Sequence, residues 1–139
     1  MSSRLRTMLL LYQWLAGCCD SATGLLLVFA PALALRLMGL TIVPRPLALL
    51  SYVGVFVLAV GLSYLWIALE GPPEWANRAR WRTQWQITAL VRTLVAIFVL
   101  AQVASGGLEL RWLSVAATDG CFAAIQWIGL GNGWLGRVD

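Results

Sequence analysis

Four long apolar stretches alternate with short segments rich in Arg, Pro and Gly, at about 7–30, 47–69, 83–104 and 111–130. Each is close to the roughly 20 residues a helix needs to cross the hydrocarbon core of a bilayer. The pattern predicts an all-α polytopic membrane protein: one domain over residues 1–139, folded as a four-transmembrane-helix bundle. The punctuation agrees with it. Pro31 kinks the helix or starts an interfacial turn, and a shorter amphipathic stretch, 32–39, carries Arg36. Arg45 between Pro44 and Pro46 precedes the second stretch, Gly71-Pro72-Pro73 closes it, and Gly106-Gly107 leads into the fourth.

Within the stretches, polar residues fall at helical spacing. Gln13, Gly17, Asp20 and Gly24 share one face of the first helix, bordered by Ala16 and Thr23. On the third, Thr88, Arg92 and Ala96 form a comparable stripe, and on the fourth Trp112, Ala116, Asp119, Ala123 and Gln126 do. On the second, Ser51, Gly54, Leu58 and Gly61 repeat small residues suited to close helix packing. Tyr52 and Tyr64 there offer hydroxyls either to a polar interior or to headgroups.

Composition supports the membrane reading. The chain is 60% hydrophobic and 12% charged, with a mean hydropathy of +0.80, outside the range of soluble domains. All ten basic residues are arginine, and histidine is absent. The arginines lie mostly between apolar runs, a pattern of membrane orientation and not of nucleic-acid binding. Arg4, Arg6, Arg78, Arg80, Arg82 and Arg137 belong to the termini and the second loop, against Arg36, Arg45 and Arg111 in the other two. The imbalance predicts a multi-pass protein of the bacterial inner (cytoplasmic) membrane with both termini cytoplasmic. Trp66, Trp75, Trp81, Trp85 and Trp134 are expected to form an interfacial belt on that side.

The absence of histidine removes the commonest ligand of haem and transition metals, so no metal and no cofactor is predicted. Cys18, Cys19 and Cys121 have no metal-like spacing and read as buried small hydrophobes. Leu15-Ala16-Gly17-Cys18 has the look of a lipoprotein cleavage box. The chain continues as GLLLVFAPALAL instead of a polar tether, so an intact first helix is expected.

With cytoplasmic termini, each glutamine lies on the cytoplasmic side of its aspartate. A rise of 1.5 Å per residue puts Arg92, Asp119 and Asp20 at roughly 13, 17 and 20 Å from that end, within reach of an arginine side chain. Ionisable groups at such depth face one another or a wet cavity. One arginine neutralises one carboxylate, which leaves the second protonated or paired elsewhere. Asp20, Arg92 and Asp119, flanked by Gln13, Gln126 and Thr88, are therefore the candidate site. The bland reading is a buried polar clasp that fixes helix order; the sharper one is a proton relay or ligand site. Gly17, Gly24, Ser51, Gly54 and Gly61 are the candidate packing residues.

Four spans in about 140 residues, with GLLLVFAP in the first helix and FVLAVGLSYL in the second, resemble the DoxX-like small bacterial membrane proteins. The resemblance lies in hydropathy and glycine placement. It implies a four-helix membrane fold, association in some members with quinone-linked or redox assemblies, and no particular site residues. Short loops leave no soluble domain for a catalytic site, so the reading leans away from an enzyme. The expected role is an accessory or scaffold subunit of a larger membrane complex. The alternative is a small proton-coupled transporter or lipid- or quinone-binding protein using Asp20, Arg92 and Asp119. Expected partners are the lipid bilayer and other membrane subunits or further copies of the chain, with no nucleic acid.

Overall fold

A computed structural model describes residues 2–40, 45–74 and 76–136. Every regular element among them is helical: α1 (Ser3–Phe29), α2 (Pro31–Leu37), α3 (Leu47–Leu69), α4 (Arg78–Ala104), a 3₁₀ turn (Leu110–Trp112) and α5 (Leu113–Gly131). Three are long and apolar enough to cross a membrane: α3, α4 and the turn with α5. α1, at 27 residues, has the length but is diluted by Gln13, Asp20, Ser21 and Thr23.

The boundaries follow local chemistry. Ser2 caps α1, its hydroxyl accepting from the Leu5 amide at 3.3 Å. Ala30 leaves helical geometry at φ −143°, and Pro31 then takes the first turn of α2, where its missing N–H costs nothing. α3 covers the expected 47–69. α4 starts five residues before the expected 83, because its first turn buries Trp81 and is worth continuing as helix. At the other end of α4, Gly106 (φ +78°) closes the helix, and Gly107 N–H reaches back to Gln102 C=O at 2.8 Å.

The long helices run up and down. α1 and α3 are antiparallel and unusually close, because glycine faces backbone along their seam. A Cβ on Gly24 would lie 2.5 Å from Leu58 N, one on Gly54 2.7 Å from Leu27 Cβ and one on Gly17 2.7 Å from Leu65 Cδ2; one on Gly61 would strike the Ser21 backbone. Half-buried Ser51 lies three residues before Gly54 on α3. Small residues at such positions let backbones approach, and van der Waals contact then holds them. α4 and α5 form the second antiparallel pair. α3 and α4 pack far more loosely than the partners within each pair, so the molecule is two hairpins, joined by side chains of both α1 and α3 that bond to α4.

At one end Leu9, Ile67, Trp81, Trp85 and Leu135 pack into an apolar cluster. Trp81 and Trp85 are fully buried there, a correction to the expected interfacial belt; Trp66 is largely exposed, and Trp134 is half-buried against the cluster. Trp75, Arg137 and Pro44 lie outside the described residues. The Arg6–Glu74 pair at 3.6 Å and a hydrogen bond from Arg82 Nη1 to Gly136 C=O at 3.3 Å bring the beginning of the chain, the α3–α4 loop and residue 136 to this same end. Outside the seams the surface is apolar, with Leu11, Phe29, Val55, Leu94, Phe98 and Ile128 all exposed. A belt of that size on a small chain marks an interface with lipid or protein.

Candidate functional site

Arg92 sits midway along α4, on the stripe that also carries Trp85, Thr88 and Ala96, all buried. Its side chain is only 3% exposed. Each of its three nitrogens donates to a different helix: Nη1 to Asp119 Oδ1 of α5 at 2.6 Å, Nη2 to Asp20 Oδ2 of α1, and Nε to the Tyr64 hydroxyl of α3 at 3.2 Å. The guanidinium carbon lies 4.6 Å from the ring centre of Phe122 and 5.4 Å from that of Tyr64, in cation–π range. One side chain thus links all four long helices. Asp20 and Asp119 retain side-chain exposures of 14% and 19%.

An aromatic layer and an amide layer follow toward the arginine-rich end. Tyr12 packs against Tyr64, Trp85 and Phe122 with ring centres 5.2 to 6.3 Å apart, and its hydroxyl donates to Phe122 C=O at 3.2 Å. Gln13 is fully buried; it donates to Gln84 Oε1 and accepts from Trp85 Nε1, both at 3.0 Å. Gln126, also fully buried, donates to Thr88 Oγ1 at 2.7 Å, and Thr88 donates in turn to Gln84 C=O at 2.8 Å. The Gln126 Oε1 acceptor is buried without a hydrogen-bond partner among the described residues. Gln13 and Asp20 of α1 meet Trp85 and Arg92 of α4 with the same offset in numbering, as two parallel helices in fixed register do.

All six residues of the candidate polar cluster therefore meet along one axis of the bundle: Asp20, Arg92 and Asp119 in the charged layer, Gln13, Thr88 and Gln126 in the amide layer beyond the aromatic rings. Tyr64, left open between interior and headgroups, belongs to the interior, whereas Tyr52 is exposed beside Phe56. Tyr12, Gln84, Trp85 and Phe122 were missed, although Trp85 lies seven residues before Arg92 and Phe122 three after Asp119, positions that share their faces. Ser21, not Thr23, completes the buried face of α1. Cys18, Cys19 and Cys121 are free and exposed, a correction to the buried reading. No group of three or more Cys, Asp or Glu side chains suited to a metal occurs among the described residues.

Electrostatics decide what the layer does. Removing a carboxylate or a guanidinium from water costs several kcal/mol each, an amount returned only by close geometry and filled hydrogen bonds. Arg92 meets that condition with three donated bonds and two ring faces. Two carboxylates against one guanidinium sum to −1 when all are ionised, and a proton on either acid brings the layer to neutrality. No protein-family model matches the chain, and no curated protein or solved structure was found to be similar to it.

Proposed function

We propose that the chain is a four-span integral protein of the bacterial inner membrane, both termini cytoplasmic, acting without catalysis as an accessory or scaffold subunit of a larger membrane complex. The observation that carries this reading is the use of Arg92: its three nitrogens are all engaged by groups of its own bundle, and its burial is nearly complete. Such a centre orders helices. α1 serves as the fourth span because Gln13 and Asp20 are both engaged in the interior, leaving Leu11, Leu15, Leu25 and Phe29 toward lipid. The arginine excess at the end shared by the termini favours the cytoplasmic side for it. The hydropathy likeness to DoxX-like proteins agrees with this role.

A second reading, a proton-coupled carrier, is favoured by one observation: the surplus carboxylate with residual exposure on Asp20 and Asp119. Native mass spectrometry of gently solubilised membranes, paired with proton-flux measurement in liposomes, separates the two. A stoichiometric complex with other membrane subunits and no flux is expected. A lone chain that conducts protons, with flux abolished by Asp20→Asn, would overturn the subunit reading in favour of the carrier.

A further inference from the structure

Because α3 and α4 pack loosely, an open groove of about 660 Å³ runs between them, bounded by Trp66, Glu70, Arg80, Gln84 and Thr88. A second hollow of about 470 Å³ shares Ser63, Trp66, Ile67 and Gln84 with the first and continues along α3 to Leu62 and Ala59. The chemistry along this groove is ordered. At the arginine-rich end Arg80 and Glu70 pair at 2.7 Å, with the arginine side chain 69% exposed. One turn further, roughly 6 Å along α4, the Gln84 amide nitrogen meets Ser63 Oγ at 3.5 Å, the long limit of a hydrogen bond. Beyond that the wall is Leu62 and Ala59.

Charge first, then a hydrogen-bond donor, then apolar surface is the order of phosphate, ester carbonyl and acyl chain in a glycerophospholipid. We infer that the groove holds one anionic phospholipid, its phosphate on Arg80, its ester carbonyl within reach of the Gln84 amide and its chain against Leu62 and Ala59. Charge favours an anionic head: Arg4, Arg6, Arg78, Arg80 and Arg82 stand at this end against Glu70 and Glu74, and a basic group at the bilayer surface attracts anionic lipid. Glu70 competes with the phosphate for Arg80. One of its oxygens is buried without a hydrogen-bond partner among the described residues. The inference rests on the membrane embedding proposed above and is independent of what the Arg92 layer does.

Native mass spectrometry of the purified full chain, titrated with phosphatidylglycerol or phosphatidylcholine of the same acyl length, tests it. One phosphatidylglycerol should bind saturably, in preference to phosphatidylcholine. Arg80→Gln should weaken it about fivefold and Glu70→Gln should strengthen it by a similar factor. Equal binding of both lipids, an unsaturating ladder of bound lipid, the same direction of change in both variants, or displacement by inorganic phosphate overturns the site. A chain that stays in solution without detergent refutes the membrane embedding instead, so the two failures are distinguishable.

Discussion

Replacing Arg92 with Leu removes a side chain that bonds to α1, α3 and α5 at once, and it does so at a position 3% exposed. Two carboxylates lose their partner, the Tyr64 hydroxyl loses its donor, and Leu restores only part of the packing between Tyr64 and Phe122. Breaking one buried ion pair by deleting one partner typically costs about 3 to 5 kcal/mol, most of it from the orphaned charge. Here two acids are orphaned, but their residual exposure lets solvent or a proton reach them, so about 3 to 5 kcal/mol is expected in total. Asp20→Asn or Asp119→Asn in the Arg92→Leu background removes one orphan and should recover about 1 to 2 kcal/mol, though each Asn change alone destabilises. Equilibrium unfolding in detergent micelles of the wild type, single and double variants gives the coupling. Strictly additive losses, with neither Asn restoring stability, refute the idea that the three groups form one unit.

Other substitutions separate packing from polar satisfaction. Gly24→Ala should cost about 1 to 3 kcal/mol, since its Cβ meets the Leu58 backbone, whereas Gly120→Ala, with nothing within 4 Å, should be neutral or stabilising in the same unfolding assay. Gln13→Met should cost about 1 to 3 kcal/mol because it strands Trp85 Nε1 and Gln84, while Gln126→Met, which also removes an unfilled acceptor, should cost less than Gln13→Met in side-by-side denaturation. In a cysteine-free background of intact cells, a cysteine at Ser105 should react with an impermeant thiol reagent and one at Ala76 should not; the reverse result inverts the orientation.

Helix α3 was fully legible because its apolar run ends abruptly at Pro46 and at Gly71-Pro72-Pro73. The start of α4 was not, since hydropathy falls at the alternating arginines while the backbone continues, drawn on by burial of Trp81. Trp81 and Trp85 illustrate a second limit. Tryptophan near a span end serves an interface or a core equally well, and only the meeting of Leu9, Ile67 and Leu135 at that end decides for the core. Cys18, Cys19 and Cys121 show the same in reverse: being apolar does not fix which way a helix turns them. The charged layer was legible in part. Spacing of three, four and seven put Asp20, Arg92 and Asp119 on inward stripes, and the helical rise put them at compatible depth. The choice of Tyr64 as the third acceptor, and of Phe122 as the ring under the guanidinium, depends on how α3 and α5 rotate about their own axes. For α3 that rotation is set by the glycine contacts with α1, which no single helix reveals.

Arg92 holds two carboxylates from two other helices at once, an arrangement that solid-state NMR of the protein in lipid bilayers can observe. With ¹⁵N in arginine and ¹³C in aspartate, the chain has only three aspartates to observe, Asp20, Asp119 and Asp139. The carboxyl carbons of Asp20 and Asp119 should both show dipolar coupling to guanidinium nitrogen at a separation of about 4 Å, as in a contact ion pair, and Arg92→Gln should abolish both. Coupling to only one of them, or to neither, contradicts it.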